Sequence, residues 1–143
     1  GWRRSLLRMF GGRIARNAVI YPSVRIWAPW NLQMGSRSCL SHFVDCYCVA
    51  KICLGDRAVV SQYSRLCTAT HDYTMPEMPL MAGEILIGED AWITSGAFIG
   101  PGVHVGEGSV IGAQSVVVRD VPAWEIFAGN PARHIGSRSP FRT

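Results

Sequence analysis

The sequence predicts an all-β protein, a solenoid in which short strands wind round three flat faces. From Ile14 onward the chain falls into fifteen units of six residues, and Ile, Leu, Val or Met opens fourteen of them. The fifth position is Ala, Ser, Thr or Val except at Trp30, and glycine recurs at the second position. A period of six matches neither the 3.6-residue repeat of a helix nor the alternation of a strand. Each unit is therefore expected to supply one face of a triangular coil.

The repeat predicts about five stacked coils over residues 14–122 of a single domain of 143 residues. Two additional residues interrupt the period at Leu32 and again at Ile52. Stacked coils pair strand over strand and bury a continuous aliphatic column. The period alone says little about function, since a purely structural or ice-binding solenoid could share it.

The two ends, residues 1–13 and 123–143, are expected to cap the column. Apolar residues recur at helical spacing near the start, with arginines between them, at Trp2, Leu6, Met9 and Phe10. This pattern predicts a short amphipathic helix that closes the first coil, or alternatively a helix that lies on a membrane surface. The last residues are polar and are expected to form a mobile tail.

The charge is distributed unevenly along the chain. Residues 1–44 contain seven arginines and no acidic residue, while the whole chain has a formal net charge of +4. This basic third could contact phosphates, an anionic membrane or an acidic partner, or it could be a solvated surface. The arginines form no recognisable nucleic-acid motif, so no nucleic-acid partner is expected. No apolar run is long enough to span a membrane, and the start does not resemble a secretory signal.

The five cysteines are odd in number and form no C-x-x-C pair. They are expected to be reduced thiols packed as small hydrophobic side chains, and neither a disulfide framework nor a metal site is predicted. Reduced cysteines fit a cytoplasmic protein.

The period stops directly after His71, and Pro76, Pro79 and Gly83 then predict an extruded loop over about residues 72–86. Loops of this length are usually functional or disordered. Several apolar residues in the loop suggest that it packs against something, such as a neighbouring subunit: Tyr73, Met75, Met78, Leu80 and Met81.

His71 stands at this break. A single histidine is more often structural than catalytic, but an imidazole that titrates near neutral pH can accept a hydroxyl proton and return it to a leaving group, so His71 could be a catalytic base. Its ring could be oriented by Asp72, by Glu77 or Glu84, or by a backbone carbonyl. A nucleophilic role for Cys67 depends on the fold.

The stretch from Ile87 to Arg133 resembles the C-terminal signature of acetyl-CoA-dependent sugar O-acetyltransferases with hexapeptide repeats. Its most specific parts are AWI, SVIGAQS and GNPAR. Over nearly the whole chain the resemblance is nearest to the colanic-acid type of exopolysaccharide acetyltransferase, through LLRMFGG, PSVRI and HDY. The resemblance implies a left-handed parallel β-helix, acetyl-CoA as acyl donor, and His71 as base. It also implies a homotrimer with active sites between subunits.

The resemblance assigns further residues to acetyl-CoA. Trp92 matches a tryptophan beside the pantetheine arm, and Ser95 matches a position that hydrogen-bonds the cofactor. Ala113 matches an alanine whose backbone meets the pantetheine amides.

Val118 and Arg119 match positions near the adenine end, and Arg133 matches a residue near the phosphates. Valine at position 118 departs from the threonine that the family commonly has there, so only its backbone could contact the cofactor. Arginine suits phosphate because its planar guanidinium offers paired donors.

The acceptor is expected to be a saccharide, and if it is lipid-linked, the basic N-terminal third would sit near the membrane. Trp30 and Trp27, with Tyr47, offer aromatic faces that can stack on sugars, although Trp30 could instead be a packing residue. Asp45 and Ser41 could bind hydroxyl groups. Two other functions stay open: an N-acetyltransferase that acts on an amino sugar, and a non-catalytic solenoid scaffold.

Overall fold

The computed structural model describes residues 1–141. One helix, α1 (Trp2–Met9), precedes a column of short parallel strands that form three sheets, here called faces A, B and C. A 3-10 helix (Pro29–Asn31) interrupts the first coil. Most strands of the column have only two or three residues, because each six-residue unit must also turn a corner.

The strands fall into four groups. Face A contains β1 (Arg13–Ile14), β4 (Leu32–Met34), β7 (Ile52–Leu54), β12 (Ile85–Ile87) and β15 (His104–Val105). Face B contains β2 (Val19–Ile20), β5 (Cys39–Leu40), β8 (Val59–Val60), β13 (Trp92–Ile93), β16 (Val110–Ile111), β18 (Glu125–Gly129) and β19 (Ala132–Ser137). Face C contains β3 (Arg25–Ile26), β6 (Asp45–Tyr47), β9 (Arg65–Cys67), β14 (Phe98–Ile99) and β17 (Val116–Val117). A separate hairpin pairs β10 (Ala69–His71) with β11 (Leu80–Ala82).

Five complete coils follow one another, and a partial sixth begins at the bridge between Val105 and Val121, so the column is slightly longer than the five coils predicted. Strand β18 continues this partial coil on face B, and β19 returns antiparallel to it. The expected C-terminal cap is therefore a β-hairpin. The expected mobile tail lies partly outside the described residues, and within them the Arg138 guanidinium packs 4.6 Å from the Phe141 ring.

The column has an aliphatic core made from the first positions of the units, including Leu40, Leu54 and Ile93. Twelve of the fifteen fifth positions are also buried, and the exceptions are Trp30, Ala50 and Thr70. All three exceptions lie where the chain passes from face C to face A, so the six-residue frame fails at one corner only. Buried polar groups need hydrogen-bond partners in a dry core. The buried polar side chains here are small and hydrogen-bonded to backbone groups: Ser38, Ser64, Thr68, Ser109 and Ser115.

The N-terminal helix caps the column with a different side from the one that its apolar pattern suggests. Trp2, Met9 and Phe10 are exposed, and Leu7 is the buried residue of the helix. In the column each strand donates its N–H groups to carbonyls of the next coil, as Val19 donates to Ser38. The carbonyls of the first coil therefore lack strand partners, and buried carbonyls need donors.

Arginines of the helix supply those donors. Arg3 donates to the carbonyls of Pro22 and Val24, at 2.6 and 2.5 Å. Further contacts of the same kind join Arg4 to Ala18 and Arg8 to Ile14. Three of the seven arginines in the basic third, for which a partner, a membrane or a solvated surface had been left open, thus bind the protein itself. No helix within residues 1–141 is both long and apolar enough to cross a membrane.

The predicted loop is extruded, but it is more regular than its prolines suggest. The chain leaves the column after Thr68 and rejoins it at Gly83, whose N–H donates to the Thr68 carbonyl at 2.8 Å. Between them β10 and β11 form an antiparallel hairpin in which His71 stands opposite Leu80. His71 therefore lies on the hairpin and not at a corner of the column, and the column resumes at Ile85.

Candidate active site

The hairpin positions His71 outside the column and exposes its side chain. Its Nδ1 atom lies 2.8 Å from the carbonyl oxygen of Met78. Because a carbonyl oxygen only accepts hydrogen bonds, Nδ1 must carry the hydrogen, and Nε2 of the neutral ring is then an acceptor. A backbone carbonyl thus fixes the tautomer that a general base needs.

Asp72 has a different partner. Its Oδ1 accepts hydrogen bonds from the Thr74 hydroxyl and backbone N–H, at 2.5 and 2.9 Å. These bonds lower the pKa of Asp72 and hold the turn of the hairpin. A backbone carbonyl, that of Met78, therefore orients the His71 ring, and not one of the carboxylates of Asp72, Glu77 or Glu84.

A cleft of about 570 Å³ lies on the outer surface of face C, here called the face C cleft. Its lining comes from strands of the first three coils: Arg25, Ile26, Trp27, Asp45, Tyr47, Arg65, Leu66 and Cys67. Two of the predicted acceptor residues, Asp45 and Tyr47, therefore share one cavity. Its volume falls within the range typical of small-molecule sites.

Trp30, the third predicted acceptor residue, lies elsewhere. It is exposed in the 3-10 helix, and its Cβ comes close to Gly11 beside the N-terminal helix. Trp27 takes the expected aromatic place in the cleft, and its ring meets that of Tyr47 edge to face with centroids 5.4 Å apart.

Arg25 and Arg65 were not predicted as lining residues, although a signal for them exists in the sequence. The first three coils repeat every twenty residues, so Arg25, Asp45 and Arg65 are register partners on adjacent strands. A step of twenty from Trp27 likewise reaches Tyr47. Residues aligned this way on neighbouring strands must share one face of the sheet.

A second cleft, of about 340 Å³, lies where face C ends and is here called the C-terminal cleft. It brings together the three residues predicted for the nucleotide end of the cofactor, Val118, Arg119 and Arg133. Face C has no sixth strand, so the Val118 N–H has no hydrogen-bond partner within residues 1–141. Two guanidiniums beside an unused amide donor form a donor set that fits phosphate groups.

Ser95 and Ala113 lie next to each other at the corner between faces B and C. They belong to successive coils, and the N–H of Gln114 donates to the Ser95 carbonyl at 2.9 Å. The Ala113 N–H makes no hydrogen bond to the described residues. This small-residue corner with an unused amide suits an extended chain that carries its own amide carbonyls.

Trp92 lies apart from both groups, on the outer surface of face B. Its Nε1 donates to the Ser61 hydroxyl at 2.9 Å, and it lines a cavity of about 450 Å³ with Arg138 and Phe141. The six predicted cofactor residues thus occupy three places on one chain.

The cysteines do not form a nucleophile–base pair with His71. The thiol of Cys67 donates to the Ala69 carbonyl at 3.2 Å, and burial raises the pKa of Cys46. Residues 1–141 contain no cluster of three or more His, Cys, Asp and Glu side chains with the proximity a metal site needs.

This parallel β-helix has the architecture of hexapeptide-repeat transferases. The family model of the bacterial transferase hexapeptide (six repeats) matches residues 84–119. The chain is 42% identical to the candidate colanic acid biosynthesis acetyltransferase WcaF of Escherichia coli (strain K12), over 96% of this chain and 75% of WcaF. It therefore belongs to the family of hexapeptide-repeat acetyltransferases that includes WcaF.

Solved structures agree with this assignment and with the predicted left-handed β-helix. A maltose O-acetyltransferase from Clostridium difficile 630 superposes with a TM-score of 0.87 at 26% identity, covering 96% of this chain and 75% of that one. A hexapeptide-repeat acetyltransferase from Vibrio cholerae O1, complexed with acetyl-coenzyme A, superposes with a TM-score of 0.88 at 26% identity. That match covers 97% of this chain and 78% of the other.

Proposed function

We propose that this protein transfers the acetyl group of acetyl-CoA to a hydroxyl group of a saccharide, with His71 as the general base. The observation that carries the proposal is the hydrogen bond from Nδ1 of His71 to the Met78 carbonyl. It leaves Nε2 free to accept the hydroxyl proton. The acetyl-CoA bound to the Vibrio protein and the O-acetyltransferase activity named for the Clostridium protein support the donor and the reaction class.

His71 acts twice in this reaction. Nε2 first takes the proton of the acceptor hydroxyl while the hydroxyl oxygen bonds to the thioester carbonyl carbon. The carbon–sulfur bond then breaks, and the imidazolium returns the proton to the leaving thiolate. The products are an acetyl ester and a free thiol, and no covalent enzyme intermediate is needed because donor and acceptor bind together.

The C-terminal cleft is the proposed site for the phosphates of acetyl-CoA, through Arg119 and Arg133. The N–H of Val118 is an additional donor there. Ser95 and Ala113 are proposed to bind the pantetheine arm, and Trp92 is proposed to lie beside that arm.

We further propose that the protein is a homotrimer, which the distribution of these residues supports. The cofactor residues lie along different edges of one column, so a site shared between copies would bring them together. Apolar side chains of the hairpin are exposed on the single chain and are proposed to contact a neighbouring copy: Tyr73, Met75, Met78, Leu80 and Met81. His71 would then face the cofactor wall of the adjacent subunit.

The test is acetyl transfer from acetyl-CoA to a panel of saccharides. His71→Ala is expected to lower kcat/KM by at least about 10²-fold, the usual contribution of a general base, with an unchanged circular dichroism spectrum. His104→Ala, which removes an exposed histidine from face A, is the matched control and should keep full activity. Equal activity of His71→Ala and the parent would remove His71 from the mechanism. Treatment of the product with hydroxylamine separates an ester, which is cleaved, from an amide, which persists.

A further inference from the structure

The face C cleft carries more positive charge than a neutral sugar requires. Arg25 and Arg65 stand on either side of Asp45 along three adjacent strands. Asp45 approaches only Arg65, at 4.0 Å, and this distance exceeds that of a hydrogen bond. Within residues 1–141 the guanidinium of Arg25 has no acidic partner within 4.0 Å. Two guanidiniums against one carboxylate leave the cleft with a net positive charge.

The aromatic side chains give the cleft a second property. Trp27 is 67% exposed, and its ring contacts that of Tyr47 edge to face. An exposed, braced ring can stack on the apolar face of a sugar. Trp27 follows β3 directly and lies two residues after Arg25, and both side chains line the cleft. A sugar stacked on Trp27 would therefore have its substituents near a guanidinium.

The cleft also lies within reach of the proposed base. Cys67 lines the cleft, and His71 follows it by four residues, so their Cα atoms are at most about 14 Å apart. The Thr68 N–H donates to the Tyr47 carbonyl at 3.1 Å, which ties the base of the hairpin to the cleft wall. An acceptor bound in the cleft could present a hydroxyl group toward the hairpin.

We propose that the acceptor is an anionic saccharide, whose carboxylate or phosphate group is bound by Arg25 and Arg65 while its ring stacks on Trp27. This inference rests on the proposed acetyltransferase function and specifies its substrate class. Guanidinium groups recognise both anions with paired N–H donors. Asp45 would accept a hydrogen bond from a sugar hydroxyl between the two arginines.

The experiment compares acceptors that differ in charge. The kcat/KM for acetyl transfer is measured with methyl glucoside, methyl glucuronide and glucose 1-phosphate, for the parent and for Arg25→Gln/Arg65→Gln. We expect the parent to prefer at least one anionic acceptor by about tenfold or more, and the double variant to lose that preference through a higher KM. The comparison of methyl glucuronide with glucose 1-phosphate identifies whether the two arginines bind a carboxylate or a phosphate group. Arg13→Gln/Arg16→Gln, which removes the same charge from exposed positions outside the cleft, should keep the preference.

Equal use of charged and neutral acceptors, with no effect of the double variant, would overturn the anionic inference and leave the acetyltransferase proposal intact. Binding of the same three sugars to His71→Ala by calorimetry gives a readout that needs no turnover. Anion-selective binding that is abolished by Arg25→Gln/Arg65→Gln would support the inference even if no sugar were acetylated. Absence of acetylation would instead overturn the proposed function. Binding without anion selectivity would overturn the inference directly.

Discussion

Two corners of the column differ in how far the length of the turn varies from coil to coil. At the corner between faces A and B, every coil makes the turn in six residues, and glycines stack along it at Gly35, Gly55, Gly88 and Gly106. At the corner between faces C and A, the length varies. Strand partners are twenty residues apart in the first coils, thirty-three across the hairpin and eighteen afterwards.

The glycines at the corner between faces A and B lie close to the backbone of the next coil. A Cβ on Gly88 would lie 2.5 Å from the backbone nitrogen of Glu107 in the next coil, so no side chain fits at this position without a shift of the backbone. The chain at the other corner can bulge away from the column without separating the strands. The 3-10 helix, the His71 hairpin and one wall of the C-terminal cleft all lie at that variable corner. The rigid corner keeps the coils in register, and the variable corner carries the candidate chemistry.

The largest expected effect on stability is that of Gly88→Ala. The added methyl group must push apart two backbones, and overpacking of this kind costs about 3 kcal/mol. Denaturant unfolding followed by circular dichroism measures the loss.

Gly102→Ala is the control at the variable corner. Gly102 has a φ of +74° but no atom within 4 Å of an added Cβ, so only left-handed backbone strain of about 1 kcal/mol is expected. Equal losses for the two variants would mean that the corners do not differ.

Removal of the hairpin tests the variable corner more directly. Deletion of residues 70–82 joins Ala69 to Gly83 and restores the twenty-residue spacing of the preceding coils. Because Ala69 and Ala82 are register partners, the ends to be joined are already close. The free energy of unfolding is expected to change by only about 1 kcal/mol, while acetyl transfer falls to the level of His71→Ala. Loss of the cooperative unfolding transition would show that the hairpin supports the column.

The six-residue period was sufficient to predict the column, about five of its coils and an extruded segment beside His71, although the chain leaves the column three residues earlier, after Thr68. It could not predict the inward arginines of the N-terminal helix. A hydrophobic pattern shows which side of a helix is apolar, but the unpaired carbonyls of the first coil exist only once the coils have stacked. Donors on Arg3, Arg4 and Arg8 then determine which side packs.

The candidate site was predictable in part. His71 was selected because it stands at the break in the period and because of the family resemblance, and its role stays a prediction. Val118, Arg119 and Arg133 line one cleft, and their role in cofactor binding also stays a prediction. The prediction that Trp30 contacts the acceptor was misleading, because the two additional residues after Trp30 shift the six-residue frame at the variable corner. The grouping of Arg25 with Asp45 needed the twenty-residue period, which is visible in the sequence only after the insertions are counted as part of each coil.

The smallest expected effect is an acid sensitivity of the rigid corner. Arg57, between β7 and β8, donates two hydrogen bonds to Asp90, between β12 and β13, at 2.7 and 3.0 Å, and they lower the pKa of Asp90. A carboxyl whose folded pKa lies below its unfolded value of about 3.9 stabilises the fold above that value. This contribution disappears as the pH falls through the folded pKa.

Asp90→Asn isolates this contribution, because asparagine tolerates the φ of +57° at this position. Between about pH 6 and about pH 3 the parent should lose more stability than Asp90→Asn, measured as the shift of the denaturant midpoint. The difference should shrink in high salt, since both side chains are partly exposed. Identical acid sensitivity of the two proteins would leave the glycine stack as the main constraint on this corner. The strand register across the thirty-three-residue coil would then depend on backbone contact and not on the ion pair.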